Sequence, residues 1–291
     1  MPASPLHAPL LAWYAEHARD LPWRRPSCDA WGVLVSEVML QQTPVDRVVP
    51  AWEGWLARWS TPRALAADSP GEAVRMWGRL GYPRRALRLH AAAGECVRRF
   101  DGRVPSAYDD LRSLPGVGDY TAAAVRSFAY GRRGVVLDTN VRRVLARLVD
   151  GVALPRPSVS VAERGGAEAL LPDDDATAAT WSIALMELGA LVCTASSPSC
   201  GVCPVAGPCA WLAAGRPAYD GPARTVQRFA GTDRQVRGRL LSVLRESHGP
   251  VAKEALDLVW DEPVQRQRAL DALVADGLVD PLPDGRYDLP T

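Results

Sequence analysis

The 291-residue sequence has almost no lysine and no long apolar run. Lys253 is the only lysine, so a reaction that needs an amine nucleophile, such as Schiff-base formation, has one candidate side chain. No segment offers the roughly 18 unbroken apolar residues that a membrane span requires. Residues 1–10 also lack the basic and apolar regions of a secretory signal. We therefore expect a soluble, cytoplasmic protein that does not bind membranes.

Basic and acidic residues are nearly equal in number, 34 against 33, and the net charge is only +1. The whole-chain charge therefore predicts no polyanionic partner. Local charge differs, because arginines cluster in two segments. Such clusters either contact phosphates or are solvated helix faces, and the sequence leaves both interpretations open. The clustered residues are Arg79, Arg84, Arg85, Arg88, Arg132, Arg133, Arg142, Arg143 and Arg147.

Short runs with helical apolar spacing, separated by turn signals, make up the first ~220 residues and predict an all-α body. Thr43 is predicted to cap one of these helices, with Pro44 at its first position. Residues 215–231 are rich in glycine, proline and polar residues and predict a linker. The chain is thereby divided into residues 1–214, a linker and residues 232–291.

The C-terminal residues 232–291 have the pattern of a winged-helix-like domain. Helices are predicted over 233–246, 251–259 and 264–275, and Asp284-Gly285 predicts a hairpin after them. Such domains often contact DNA through the third helix, which here contains Arg266 and Arg268, but they also serve as protein-contact modules. Both functions remain open.

Four of the six cysteines lie within 17 residues, with the spacing C-x6-C-x2-C-x5-C. In a cytosolic chain, four close thiols indicate a metal site rather than disulfides, and the ligand type fits zinc or an iron–sulfur cluster. Cys28 and Cys96 stand apart as expected core residues. The spacing resembles the iron–sulfur loop of the endonuclease III and MutY superfamily. That resemblance implies a [4Fe-4S] cluster bound by Cys193, Cys200, Cys203 and Cys209.

The expected role of this cluster is structural, as a support that orders a DNA-contacting loop, and redox sensing is the alternative. A zinc knuckle is the alternative metal site.

Residues 114–122, Leu-Pro-Gly-Val-Gly-Asp-Tyr-Thr-Ala, predict a tight turn that leads into an apolar helix. Glycines there let backbone N–H groups approach an anion at the helix N-terminus, and a DNA phosphate is such an anion. The segment resembles the helix-hairpin-helix of the same superfamily, which implies DNA contacts at Gly116, Val117 and Gly118. A plain connection between two helices is the alternative.

Asp138 follows an apolar run in the segment 135–144 and could be an ordinary helix N-cap. In the superfamily, an acid at this place faces the sugar of the target nucleotide and stabilises an oxocarbenium-like centre as the base leaves. MutY-type proteins usually read D-G-N-V here. Thr139 replaces the glycine, while Asp138 and Asn140 remain in register.

Segments 19–24 and 36–43 carry the most specific match in the chain. They read Arg-Asp-Leu-Pro-Trp-Arg and Ser-Glu-Val-Met-Leu-Gln-Gln-Thr, and they resemble the signature of MutY-type adenine DNA glycosylases almost residue for residue. The resemblance implies that Glu37 protonates the purine ring and later helps to activate water. It also implies substrate or DNA contacts for Arg19, Trp23, Arg24, Gln41, Gln42, Tyr82 and Glu187.

Within that set, Arg24 and Glu187 are assigned to the adenine pocket, and Gln42 to the base stack near the orphaned partner base. Tyr82, in Gly-Tyr-Pro where the family more often has Gly-Tyr-Tyr, is assigned to a wedge in DNA. The plain alternatives are a helix-surface acid for Glu37 and a core aromatic for Trp23.

Two acids suit this chemistry because one must be protonated to donate to the leaving base and the other ionised to stabilise the sugar. Glycoside cleavage divides these roles between two carboxyl groups, and the resemblance implies Glu37 and Asp138 here. Tyr120 occupies the place where lyase relatives have their Schiff-base lysine. A monofunctional glycosylase is therefore expected, with Tyr120 lying against Asp138 and the sugar.

The sequence thus predicts an enzyme of base-excision repair that removes adenine opposite 8-oxoguanine or guanine from double-stranded DNA. It is expected to act as a monomer, associated with the nucleoid if the source is bacterial. Removal of thymine or uracil opposite guanine is the alternative within the fold, and a non-catalytic DNA-binding regulator is the alternative outside enzymes. Many relatives recognise 8-oxoguanine with a Nudix-related C-terminal domain, which the 82 residues after Cys209 are too short and too helical to form.

Overall fold

The computed structural model describes residues 4–221 and 229–291, so part of the predicted linker lies outside the described residues. The structure is predominantly α-helical, as predicted. Among the described residues no helix is long and apolar enough to cross a membrane. Helices α1 to α15 are, in order, His7–His17, Ala30–Met39, Val45–Arg58, Pro62–Ala66, Pro70–Trp77, Arg84–Arg99, Tyr108–Arg112, Asp119–Tyr130, Thr139–Leu148, Val161–Ala169, Asp175–Leu191, Ala210–Ala213, Asp233–Glu246, Lys253–Asp257 and Pro263–Ala275.

Shorter elements complete the chain. Two 3-10 turns cover Pro22–Arg24 and Cys200–Val202. Strands β1 (Asp280–Pro281) and β2 (Tyr287–Asp288) form one antiparallel hairpin, with Asp280 opposite Asp288 and Pro281 opposite Tyr287.

Contacts divide the chain into two compact units. The first comprises Met1–Val33, Ser106–Arg112 and Val117–Ala223, and the second comprises Leu34–Pro105, Ser113–Gly116 and Arg224–Thr291. The C-terminal helices therefore group with residues 34–105. The division into residues 1–214, a linker and residues 232–291 stays a prediction, because units defined by contacts need not coincide with domains that fold alone.

The first unit is built around α1, α9 and α11, whose apolar faces share one core. Trp13, Val144, Trp181 and Leu188 are among its buried residues. Helices α9 and α11 each begin at an aspartate that caps the first turn: Asp174 accepts from the backbone N–H of Thr177, and Asp138 accepts from that of Val141. The position of Asp138 in the fold is therefore fixed by a helix terminus.

The second unit has an aromatic core from α3 to α5. Trp55 packs edge-to-face with Trp59 and with Trp77, at ring centroid distances of 4.7 and 5.8 Å. The predicted cap at Thr43 is wrong. Pro44 occupies the N-cap of α3, and the Thr43 hydroxyl donates to the Leu80 carbonyl at 3.1 Å instead, because the chain turns toward Leu80 there.

The C-terminal residues form the predicted three helices and hairpin. Val236, Leu240 and Leu244 recur at every fourth position of α13, so they lie on one face, which packs against α15. A single antiparallel bridge pairs Val251 with Tyr287 next to the hairpin. The predicted three helices and hairpin are therefore present, and their assignment to a winged-helix-like domain stays a prediction.

Candidate active site and DNA-contacting surface

Glu187 lies on α11 with no solvent exposure, and two arginines donate to its carboxylate. Arg19 donates from Nε to Oε1 at 2.7 Å and from Nη2 to Oε2 at 2.8 Å, and its backbone N–H adds a third bond. Arg24 donates from Nη2 to Oε2 at 2.8 Å. Burial opposes ionisation of Glu187, but the arginine hydrogen bonds outweigh it and lower its pKa to about 2. The carboxylate is therefore charged at neutral pH.

Arg24 retains an unused donor. Its Nη1 atom is buried and has no hydrogen-bond partner among the described residues. A buried N–H without an acceptor costs about 1–3 kcal/mol, so an acceptor within reach of this atom would remove that cost. Trp23, on the same 3-10 turn, is buried, which agrees with the alternative of a core aromatic; its predicted DNA contact stays a prediction.

Asp138 caps α9 with its side chain. Oδ1 accepts from the backbone N–H of Val141 at 2.6 Å, and Oδ2 accepts from Asn140 Nδ2 at 3.0 Å. Burial raises the pKa of Asp138, while the hydrogen bonds from Val141 and Asn140 and the charge of Arg143 oppose that shift. The cap donors favour an ionised carboxylate but do not outweigh burial, and the catalytic role of Asp138 stays a prediction.

Asn140 is fixed from its other side by Arg143 and Gly189. Arg143 Nη2 donates to Asn140 Oδ1 at 2.8 Å and to the Gly189 carbonyl at 2.6 Å, and Arg143 Nε donates to the Cys193 carbonyl at 2.8 Å. A Cβ atom on Gly189 would lie 2.7 Å from the Cβ of Asn140. Glycine is therefore required at this approach of α11 to α9, and the cysteine loop is connected through Arg143 to the residue that positions Asp138.

The predicted helix-hairpin-helix is present as α7, a turn and α8. Gly116 adopts φ +79°, and a Cβ there would lie 2.8 Å from the Cβ of Arg88. Gly118 is the N-cap of α8, so no side chain blocks the N–H groups of the first turn. Val117 is buried. Tyr120, in the first turn of α8, is partly buried and packs against the small apolar cluster that contains Ala124. The turn thus has the form that a phosphate-binding site requires.

The four clustered cysteines are free thiols, each half-buried, and three of them pack against the core of the first unit. Burial raises the pKa of Cys203 to about 11, and the neighbouring thiols of Cys193, Cys209 and Cys200 add to the shift. The other three thiols therefore lie within electrostatic reach of Cys203.

Four close thiols suit either a single zinc ion or an iron–sulfur cluster. In the parts of the chain that are described, no three His, Cys, Asp or Glu side chains are arranged to bind one metal ion. A zinc knuckle would place four sulfurs about 2.3 Å from one zinc. A [4Fe-4S] cluster instead distributes four cysteines over four irons.

Arg147 organises this loop from α9. It is buried, and its guanidinium donates to the carbonyls of Thr194 at 2.7 Å and Ala195 at 3.0 Å. The same group lies 3.3 Å from Cys193 Sγ and stacks 4.7 Å above the ring of Trp211. One arginine therefore contacts both the first cysteine and the residues that follow it.

Glu37 lies near the C-terminal end of α2 and is only 4 % exposed, so the alternative of a helix-surface acid is wrong. It belongs to the second unit, whereas Asp138 belongs to the first. Gln41 and Gln42 follow directly after the helix. Gln42 is exposed and adopts φ +57°, a left-handed conformation that disfavours side chains other than glycine and asparagine.

Tyr82 shares these properties with Gln42. It is 49 % exposed and has φ +47°. Buried Arg85 connects the two loops, because Nη1 donates to the carbonyls of Val38 at 3.0 Å and of Gln41, while Nη2 donates to the Gly81 carbonyl at 3.2 Å. Such strained backbone conformations are concentrated at functional sites.

Arg85, Arg143 and Arg147 are the functional residues that the sequence analysis did not single out. From the sequence they were recognised only as members of the arginine clusters, whereas in the structure all three are buried. A signal existed for Arg85: it shares the four-residue spacing of Leu89 and Ala93 on the buried face of α6. An arginine on the buried face of a helix needs hydrogen-bond acceptors for its guanidinium, and backbone carbonyls can supply them.

The third helix of the C-terminal domain offers little free positive charge. Arg266 donates to Asp257 at 2.9 Å, and Arg268 donates to Asp233 at 2.7 Å. Both arginines that the sequence suggested for DNA contact are therefore neutralised within the domain.

Comparison with known proteins places this geometry in a family. Residues 35–156 match the model of the HhH-GPD superfamily of base excision DNA repair proteins, and residues 193–209 match the iron-sulfur binding domain of endonuclease III. The adenine DNA glycosylase of Mycolicibacterium smegmatis is 56 % identical over 281 residues, which cover 96 % of this chain and 94 % of the relative. The chain belongs to the adenine DNA glycosylase family. The predicted [4Fe-4S] cluster is confirmed, and its assignment to the four clustered cysteines stays a prediction.

Solved structures of the fold agree with this family assignment. A thermostable thymine-DNA glycosylase superposes with a TM-score of 0.64 at 26 % identity, over 71 % of this chain and 94 % of the other. A non-covalent endonuclease III–DNA complex gives 0.57 at 26 % identity, over 71 % and 95 %. The predicted helix-hairpin-helix glycosylase fold is confirmed.

Proposed function

We propose that the chain is a monofunctional adenine DNA glycosylase that hydrolyses the N-glycosidic bond of adenine opposite 8-oxoguanine or guanine. The observation that carries this proposal is the buried group of Arg19, Arg24 and Glu187, in which Arg24 Nη1 remains a donor without a partner. A purine ring supplies nitrogen acceptors for such a donor. The name of the mycobacterial relative and its near full-length identity support the same base.

In this proposal the two acids divide the reaction. Glu37 donates a proton to the departing purine, and Asp138 stays ionised and stabilises the positive charge that develops on the sugar. Asn140 donates to Asp138 and so favours that ionised form. Glu37 then helps to activate the water that completes hydrolysis. The cluster supplies no step here; it orders the loop that Arg147 contacts.

DNA is contacted at three places in this proposal. The turn at Gly116, Val117 and Gly118 receives a backbone phosphate, and the exposed side chains of Gln42 and Tyr82 enter the duplex. An enzyme that acts on a base must take it out of the stack, and inserted side chains occupy the space that the base leaves. The double-stranded DNA is bound by one copy of the chain, on the chromosome.

The proposed absence of a strand-cutting step is supported by the position of lysine. Tyr120 stands where lyase relatives have their amine, and Lys253, the single lysine, lies in the C-terminal domain beside Asp257. Without an amine at the sugar, no Schiff base forms and β-elimination has no enzymatic route.

Four duplexes test the proposal, each with one A:8-oxoguanine, A:G, T:G or U:G pair. We expect strand breaks at the adenine of the first two, only after alkali, and none with Glu37→Gln. Breaks at thymine or uracil would instead support the pyrimidine-specific alternative, to which the thymine-DNA glycosylase structure points. Binding without any excised base would support a non-catalytic regulator and overturn the enzyme assignment.

A further inference from the structure

The C-terminal segment, residues 229–291, is joined to α5 by two arginines that each contact the end of the opposite helix. Arg75 of α5 donates to the carbonyls of Leu244 at 3.3 Å, Ser247 at 2.6 Å and Arg245, where α13 ends. Arg245 of α13 donates to the carbonyls of Val74 at 2.8 Å and Gly78, where α5 ends. The last carbonyls of a helix have no hydrogen-bond partner within it and carry partial negative charge. Each arginine therefore donates hydrogen bonds to these carbonyls and places a positive charge beside them.

The C-terminal end of the chain contacts the other end of α5. The Gly71 backbone N–H donates to the Pro290 carbonyl at 2.7 Å. A Cβ atom at Gly71 would lie 2.5 Å from that same carbonyl oxygen and 2.9 Å from the Cβ of Leu289. The segment therefore fits α5 at both ends, and at Gly71 the fit tolerates no side chain.

From this position the segment contacts the loop of Tyr82. The Arg234 guanidinium lies 5.6 Å from the centroid of the Tyr82 ring, while Arg85 lies 5.2 Å from it. Asp276 pairs with Arg84 at 3.2 Å and also with Arg237. A cation over an aromatic face is attracted by the negative face of the ring. The ring of Tyr82 is thus contacted by a cation from the segment, Arg234, and by a cation from α6, Arg85.

We propose that residues 229–291 position the Tyr82 loop for entry into DNA, with Arg234 and Asp276 as the positioning residues. The backbone of Tyr82 has a left-handed conformation that a tyrosine does not favour, and its ring is half exposed. The observed position of the ring therefore needs contacts from other residues. The contacts from Arg234 and Asp276 provide that constraint. Because the entry of Tyr82 into DNA is part of the proposed function, this role rests on that function.

Positioning fits the segment better than reading of DNA by its third helix. The arginines of α15 are paired within the segment, whereas Arg234 contacts Tyr82 and one carboxylate oxygen of Asp276 pairs with Arg84, the other being paired with Arg237. The effect of the segment should therefore appear in the flipping and excision of the base, with DNA affinity nearly unchanged.

Two glycine variants test the docking. Gly71→Ala places a Cβ into Pro290, whereas Gly94→Ala, in α6, meets nothing within 4 Å and is the matched control. We expect Gly71→Ala to slow single-turnover excision at an A:8-oxoguanine pair by about tenfold, since a small misplacement of a positioning group costs up to about a hundredfold. Gly94→Ala should excise at the wild-type rate.

Three further variants test the contacts of Arg234 with Tyr82 and of Asp276 with Arg84. None of them removes a core residue, so all three should fold. Arg234→Gln and Asp276→Asn should slow excision, while Arg234→Lys keeps a cation over Tyr82 and should restore most of the rate. A second readout is the fluorescence of 2-aminopurine beside the mismatch, which rises when the base unstacks. We expect a smaller rise with the first two variants, toward the level of Tyr82→Ala, and DNA dissociation constants within about threefold of wild type.

Wild-type excision and fluorescence in Arg234→Gln and Asp276→Asn would overturn the positioning role, as would an equal loss in Gly94→Ala. If Gly71→Ala does not fold, the surface variants decide. If the wild-type protein removes no adenine, the proposed function fails, but the 2-aminopurine signal still shows whether the segment controls insertion of Tyr82.

Discussion

Removing the charge of Glu187 should destabilise the protein by an amount that depends on pH in a defined direction. The hydrogen bonds from Arg19 and Arg24 lower the pKa of Glu187 from 4.5 to about 2. A depressed pKa of this size corresponds to about 3 kcal/mol of free energy of unfolding at neutral pH. Glu187→Gln should lose about that amount, because it leaves Arg24 buried without a charged partner.

The sign follows from the depressed pKa. The contribution of Glu187 is fully present above pH 4.5, the pKa expected in the unfolded chain, and is lost as the pH falls from 4.5 toward 2. By pH 3.5 the wild-type protein should have lost about 1.4 kcal/mol of it. The stability difference between wild type and Glu187→Gln should therefore shrink by that amount between pH 7 and pH 3.5.

Urea unfolding followed by tryptophan fluorescence measures this difference at both pH values. Glu53→Gln is the matched control, since Glu53 is exposed on α3, and it should change stability by less than about 0.5 kcal/mol. A Glu187→Gln difference below about 1 kcal/mol at pH 7, or one that does not shrink at pH 3.5, would refute the reasoning.

Three further outcomes follow from the same geometry. Asn140→Ala removes a donor from Asp138, so the pKa of Asp138 should rise further and the acid limb of the excision pH profile should move to higher pH; an unmoved limb contradicts this. Gly189→Ala should lower the melting temperature and cost about 1–3 kcal/mol, because its Cβ overlaps Asn140. Arg147→Met should speed the loss of cluster absorbance in the presence of a chelator, and an unchanged rate would show that the cysteine loop is ordered without Arg147.

Much of the fold and the residue types of the site could be predicted from the sequence, because both depend on local patterns. Apolar spacing located the helices of the C-terminal segment, and cysteine spacing located the cluster loop. Asp138 could be placed at a helix N-terminus because capping involves neighbouring residues. The role of Thr43 could not be predicted, since its hydroxyl donates to Leu80, 37 residues further along the chain.

Contacts between distant segments were beyond the sequence. Arg75 and Arg245 are separated by 170 residues, and no periodicity indicates that each contacts the end of the other's helix. Arg85 was similarly grouped with surface charge, although it is buried and connects the loops of Gln42 and Tyr82. Arginine has this ambiguity because its long side chain can reach either solvent or buried carbonyls from the same position.

The most direct test of the proposed chemistry is to identify the released product. The protein is incubated with a duplex that contains one A:8-oxoguanine pair, and free bases and DNA strands are analysed by mass spectrometry without alkali. We predict free adenine, an intact strand with one abasic site, and neither product from Glu37→Gln. Released thymine, a strand already cut at the abasic site, or full activity in Glu37→Gln would contradict a monofunctional adenine glycosylase that uses Glu37 as its acid.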